Sequence, residues 1–298
     1  TLFAAVGTSY IPDRSTHEAV CLLVSVSNHG MKEAGQHMKE TDRARTGIAA
    51  LIALGACLQA PHVLAERIHA REDQAAATPA SVARALGKNR LGMRFVEIPS
   101  GTFDMGSTIG PGEAPVHRVS VRSFWMGVTE VTQAQWQELM GSNPSHFRQA
   151  GPNAPVEMVS WNDVQAFIAK LNALEADRHY RLPSEAEWEW ACRGGSDRDP
   201  YGPPEEIAWV KENSGGTTHP VGLKRPNGFG LYDIFGNVPE WTQDRWHEDY
   251  TGAPADGSAW TSGDSPLHTL RGGGWDLPAF FIHAALRGPW DPIHRRGF

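Results

Sequence analysis

The stretch Gly228-Phe-Gly-Leu-Tyr-Asp-Ile-Phe-Gly-Asn-Val-Pro-Glu-Trp-Thr-Gln-Asp-Arg-Trp246 constrains the fold of this chain more than any other. Its glycines at 228, 230 and 236 call for tight turns or close backbone approaches. Its aromatics, Phe229, Tyr232, Phe235, Trp241 and Trp246, bury large area in few residues. Together they describe an irregular segment anchored by its own rings. Asp233 and Glu240 flank Gly236-Asn237. Carboxylates beside a glycine turn can hold a hard cation, with backbone carbonyls completing the shell. They can equally satisfy the backbone of a plain tight turn, and the spacing is not that of an EF-hand. Residue types alone leave both readings open and make the plain turn the simpler one.

The rest of the composition agrees with a loop-rich domain rather than a helical bundle, with 11 Trp and 31 Gly in 298 residues. A net charge of -7 and a pI near 6.0 argue against a nucleic-acid partner, and no basic stripe interleaved with aromatics is present. The cysteines, Cys21, Cys57 and Cys192, are too few for a disulfide framework and contain no CxxC pair.

Residues 1–37 lack hydrophobic periodicity and are expected to lie outside the domain, as upstream or disordered sequence. Residues 38–65 have the layout of a secretory signal peptide. Basic residues follow Met38, an apolar run covers 46–58 and is too short to span a bilayer, and Val63-Leu-Ala65 suits signal peptidase. A periplasmic or secreted product is therefore expected. Leu54-Gly-Ala-Cys57 also resembles a lipoprotein box, so a lipid on Cys57 is the one membrane attachment the sequence offers. Residues 66–90 read as a linker, and the domain spans 91–298. Within it, 93–98 and 101–106 are expected to pair as a hairpin across Pro99-Ser-Gly101, and 116–125 alternates as a half-buried strand. Helices are predicted after Thr132, Ser160 and Pro183-Ser184, each with an acid or amide three residues beyond the cap. Cys192 falls on the apolar face of the third helix and reads as a small buried hydrophobe. Leu270-Arg-Gly-Gly-Gly-Trp275 reads as a buried strand running into a glycine turn.

Arg181-Leu-Pro-Ser-Glu-Ala-Glu-Trp-Glu-Trp-Ala191, Pro226-Asn-Gly-Phe-Gly-Leu-Tyr-Asp-Ile-Phe-Gly-Asn-Val-Pro-Glu-Trp241 and Leu270-Arg-Gly-Gly-Gly-Trp275 resemble, in order, the motifs of the formylglycine-generating (sulfatase-modifying factor) superfamily. The resemblance implies an α+β fold, a variant of the C-type lectin fold rich in irregular structure. It also implies a structural calcium ion held by Asp233, Gly236, Val238 and Glu240, with side-chain oxygens from the two acids and carbonyls from the other two. A second family site would begin at Asn213-Ser214, but the loop carrying its other ligands is not matched.

The catalytic members of the superfamily bind copper through two cysteines, and soft thiolates suit Cu(I). The matching positions here are Leu277 and Ile282, and no cysteine follows Cys192. Formylglycine generation by that route is not expected, and no catalytic residue is assigned. No histidine pair has metal-ligand spacing either. The resemblance then implies a binding or regulatory accessory protein of the bacterial envelope, similar to regulators of type VI secretion. The alternative is an oxidoreductase with a non-cysteine site, as in the siderophore (pyoverdine) maturation branch. Phe280, Phe281 and Trp290 are the candidate contacts for a protein or peptide partner: if the segment is extended, Phe280 and Phe281 face opposite sides and one must be exposed.

Overall fold

In the computed structural model the described residues are 19–24 and 87–295. All of them belong to one unit, formed by residues 1–29 with 83–298; the second unit, 30–82, contains none of them. The leader-like segment 38–65 and Cys57 therefore lie outside the described residues.

The strands are β1 (Ala19–Cys21), β2 (Phe95–Ile98), β3 (Gly101–Met105), β4 (His117–Val121), β5 (Phe124–Gly127), β6 (His179–Arg181), β7 (Glu240–Arg245), β8 (His268–Arg271) and β9 (Arg287–Trp290). The helices are α1 (Gln133–Met140), α2 (Trp161–Leu174), α3 (Glu185–Arg193) and the single turn α4 (Pro204–Ile207). They assemble a four-stranded sheet in the order β2-β5-β1-β6, a β3-β4 pair and a β7-β8-β9 meander. The expected α+β class is observed.

Two sequence expectations are corrected here. First, β2 does not pair with β3. It runs antiparallel to β5, while β3 pairs with β4. The chain turns the corner at Gly101, where a Cβ would lie 2.3 Å from the Trp190 ring; the indole occupies the space a hairpin side chain would need. Second, residues 1–37 do not all lie outside the domain. β1 runs parallel to both β5 and β6 in the middle of the main sheet. Leu22 N donates to Arg181 O, while Leu23 O and Val24 O accept from Val131 N and Trp241 N. Val20, Leu22 and Val24 enter the main core cluster and Cys21 and Leu23 face the other way, all fully buried. A strand covered on both faces shows no alternation, which is why this one gives no periodic signal.

The three helices start where their caps predict. Thr132, Ser160 and Ser184 each accept from the backbone N–H three residues on, and Gln135, Asp163 and Glu187 reach back to the cap. Gly141 and Gly194, both left-handed, end α1 and α3. Val164, Phe167, Ile168 and Leu171 form the buried stripe of α2, and Trp136 of α1 stacks on Phe167 at 4.9 Å.

Below this core lies a buried ionic layer. Arg271 of β8 is bonded to Glu189 of α3 at 2.6 Å. Arg287 of β9 binds Glu185 of α3 at 2.6 and 3.0 Å, and Tyr250 donates to the same carboxylate. These bonds fix α3 against the meander that carries the candidate site.

Candidate functional site

The loop 232–240 brings the predicted carboxylates together in the interior. Asp233, Gly236 and Asn237 all have left-handed backbone, with φ of 55°, 76° and 54°. Gly236 cannot be replaced without strain, because a Cβ would stand 2.3 Å from Trp209 O. The turn is held from outside: Asn237 N donates to Trp209 O, Gly236 N to Gly272 O and Trp275 N to Asn237 O.

Asp233 is 1% exposed and Glu240 is completely buried. Each uses one oxygen: Asp233 Oδ2 accepts from Gly222 N at 2.6 Å and Glu240 Oε2 from Trp188 Nε1 at 2.5 Å. The other oxygens, Asp233 Oδ1 and Glu240 Oε1, are buried and have no partner. Burial pushes Asp233 up to about 6, against the Gly222 hydrogen bond and the charge of Lys224. Glu240 is raised well above the usual range by burial and then by the charge of Asp233, with Trp188 acting against them. A third buried acid, Glu130, is raised by burial and then by Asp233 and Glu240.

These features fit a divalent cation. Buried carboxylate oxygens without partners are costly, and a hard cation satisfies them directly. The carbonyls of Gly236 and Val238 are not consumed by the turn's own hydrogen bonds. Among the described residues no three His, Cys, Asp or Glu side chains converge as a metal-binding group, so an ion here would need those carbonyls beside the two acids. At the second family position, the Asn213 side chain is committed to Val210 N and Ala208 O, and Ser214 Oγ to Trp275 O.

The segment after the glycine turn forms the other half of the region. Leu277 and Ile282, the positions that the sequence resemblance matched to copper-binding cysteines, are buried hydrocarbon. Between them, Ala279–Phe281 is a 3-10 turn rather than an extended strand. Successive side chains in such a turn are about 120° apart, so Phe280 and Phe281 can both face outward. Phe280 is 78% exposed and Phe281 42%, with ring centroids 4.1 Å apart. Trp290 is not on that turn; it sits half-buried in β9, packed against the main core cluster.

Sequence reading missed the polar contact beneath the phenylalanines. His283 Nε2 faces both Glu113 oxygens, at 2.9 and 3.0 Å, and Nδ1 donates to Phe281 O at 2.9 Å. Ser107 donates to the same carboxylate. Burial pulls His283 down, but the hydrogen bond and charge of Glu113 outweigh it and the net shift is upward. Glu113 shifts downward: the His283 and Ser107 bonds overcome its burial. The pair is thus an imidazolium–carboxylate clasp between the 107–113 loop and the 279–283 turn. No sequence spacing marks it, since its members are 170 residues apart.

Residues 82–298 match the family model described as a sulfatase-modifying factor enzyme 1-like domain. The chain belongs to this family. Among curated proteins it is 30% identical over 232 residues to the "Chaperone protein LppX" of Paenibacillus barcinonensis, covering 58% of this chain and 76% of that one. It is 31% identical over 225 residues to the formylglycine-generating enzyme of Mus musculus, covering 51% of this chain and 58% of the mouse enzyme. Two solved structures share the fold at 30% identity, covering 71% of this chain and 94% of theirs: Treponema denticola variable protein 1, at a TM-score of 0.64, and PvdO from Pseudomonas aeruginosa, at 0.63. The expected fold and superfamily are thus both found.

Proposed function

We propose that this family member is a calcium-stabilised binding or regulatory accessory protein of the bacterial envelope, periplasmic or secreted, working without copper–cysteine chemistry. The observation that carries the reading is the 277–282 segment. Its two cysteine positions hold buried Leu277 and Ile282, and its tip presents the exposed Phe280–Phe281 pair. Paired exposed aromatics beside polar groups mark contact sites, and aromatic anchors dominate binding energy. A protein or peptide is the partner class that fits. Trp290 serves the fold rather than this contact, because it packs on the core. Calcium is supported by the two unpartnered buried oxygens of Asp233 and Glu240.

The second reading, an oxidoreductase with a non-cysteine site, draws on the likeness to PvdO and on the buried His283–Glu113 pair beside the former cysteine positions. Metal analysis of protein purified from the periplasm separates the two. Calcium at one equivalent without stoichiometric copper or iron is expected; a full equivalent of either redox metal refutes the accessory reading. Partner capture from envelope extract, quantified per folded molecule, should fall at least fivefold in Phe280→Ala, a loss of about 1 kcal/mol. Unchanged capture by Phe280→Ala and Phe281→Ala refutes the contact face.

A further inference from the structure

We infer that Glu130 is the positioning residue of the cation site: it does not coordinate the ion, but it clamps the backbone that carries the two carbonyl ligands. The inference rests on the calcium reading above.

Glu130 comes from the loop between β5 and α1, more than a hundred positions before the site, and is 1% exposed. Its carboxylate is divided between two donors. Oε2 accepts from Asn237 Nδ2 at 2.8 Å, and Oε1 from Val238 N at 3.3 Å. Asn237 is the residue between the two carbonyl ligands, Gly236 and Val238. It adopts φ of 54°, a left-handed conformation that asparagine, after glycine, enters most readily. The rest of Asn237 is also engaged: Oδ1 accepts from His219 N, and Nδ2 donates further to His219 O. His219 takes part through its backbone; Glu130 takes part through its side chain, which also reaches a ligand residue, Val238.

The two ligand acids aim unpartnered oxygens inward, whereas both oxygens of Glu130 are already bonded. That difference separates coordinating groups from the positioning group. Site rigidity helps set calcium affinity in oxygen sites, and residues that orient ligands contribute about 10–100-fold to metal affinity.

The test is calorimetric titration of calcium into the full chain, first stripped with chelator, for wild type, Asp233→Asn, Glu130→Gln and Glu130→Asp. Urea midpoints of the calcium-free proteins are measured alongside. Glutamine preserves size, but its single acceptor cannot serve both donors. Aspartate keeps two acceptor oxygens but is one methylene shorter, so it reaches Asn237 and Val238 less well. We expect Glu130→Gln to weaken calcium about 10–100-fold, Glu130→Asp to weaken it less, and the calcium-free urea midpoints to remain close to wild type. A purely structural role would shift those midpoints while leaving affinity per folded molecule unchanged, and that result overturns the proposal. So does a dissociation constant within twofold of wild type for Glu130→Gln or, should that variant not fold, for Glu130→Asp. Absence of calcium binding by the wild type overturns the calcium reading and this inference together; binding that is lost in Asp233→Asn and retained in Glu130→Gln overturns this inference alone.

Discussion

Replacing Leu22 or Leu23 by alanine tests the least expected part of the fold. Leu22 is 1% exposed and Leu23 is fully buried. They point to opposite faces of the sheet, Leu22 into the main core cluster and Leu23 away from it. Each substitution removes three buried carbons from the segment that continues β1, which is itself paired on both sides. Large-to-small changes of this kind cost about 2–5 kcal/mol, with the higher values where the walls cannot collapse. Strands on either side and hydrogen bonds from Val131 and Trp241 limit collapse here, so the upper half of that range is expected. A domain of this size loses about 2–4 °C of Tm per kcal/mol, giving about 7–20 °C for each variant. Urea unfolding followed by tryptophan fluorescence measures this, with Phe280→Ala as the control: its ring is 78% exposed, and its change should stay within about 0.5 kcal/mol. If Leu22→Ala and Leu23→Ala also stay within about 0.5 kcal/mol, β1 is not part of the folded domain and the sheet order given above is wrong.

Arg271→Ala should destabilise the domain by about 3 kcal/mol, the low end for a broken buried pair, because Glu189 keeps Arg193 and Gly106 N while its second oxygen and the carbonyls of Ala285 and Leu286 lose their donor; a urea midpoint near wild type would refute the ionic layer. His283 has a folded pKa above its unfolded value, so its stabilisation is fully present below about pH 6.5 and is lost as pH rises through the folded value. Glu113 has the opposite sign, contributing above its unfolded value and losing that contribution as pH falls through the lower folded one. Asp199 also raises His283 and Arg271 also lowers Glu113, so the clasp is strongest between about pH 4.5 and 6.5. Wild-type Tm should then decline from pH 6 to 8.5 more steeply than that of His283→Gln, and parallel profiles would refute the clasp.

The helices were legible because their signals are local. A cap, a partner three residues on, a stripe at helical spacing and a glycine stop all lie within one stretch, as from Ser184 to Gly194. The strand Leu270–Arg271 and its glycine turn were legible for the same reason. What was hidden depends on distant segments. Val20–Val24 reads as a uniform apolar run, which periodicity cannot assign, and its neighbours lie far along the chain. The β2–β5 and β3–β4 pairings replaced a hairpin that local turn chemistry favoured, because Trp190 of α3 claims the corner at Gly101. At the candidate site the two acids proposed to hold a cation, Asp233 and Glu240, stand in one loop and were found together. Glu130 reaches that loop from 107 positions away and looks in sequence like any acid before a helix cap.

The two halves of the candidate site are also coupled through the backbone. Gly236 donates to Gly272, and Asn237 accepts from Trp275, so the cation loop is bonded directly to the glycine turn from which the Phe280–Phe281 segment departs. The helix α3 reinforces this from the other side: Trp188 holds Glu240, Glu189 holds Arg271 at the start of that turn, and Glu185 holds Arg287 at the far end of the segment. Both ends of 272–286 are therefore tied to the helix whose Trp188 also holds one carboxylate of the cation site. An ion bound at Asp233 and Glu240 would stiffen the base of the exposed turn without touching its tip. The expected division of labour is that the buried charges set where the turn stands, while the residues of the tip, free of any packing duty, set what it binds.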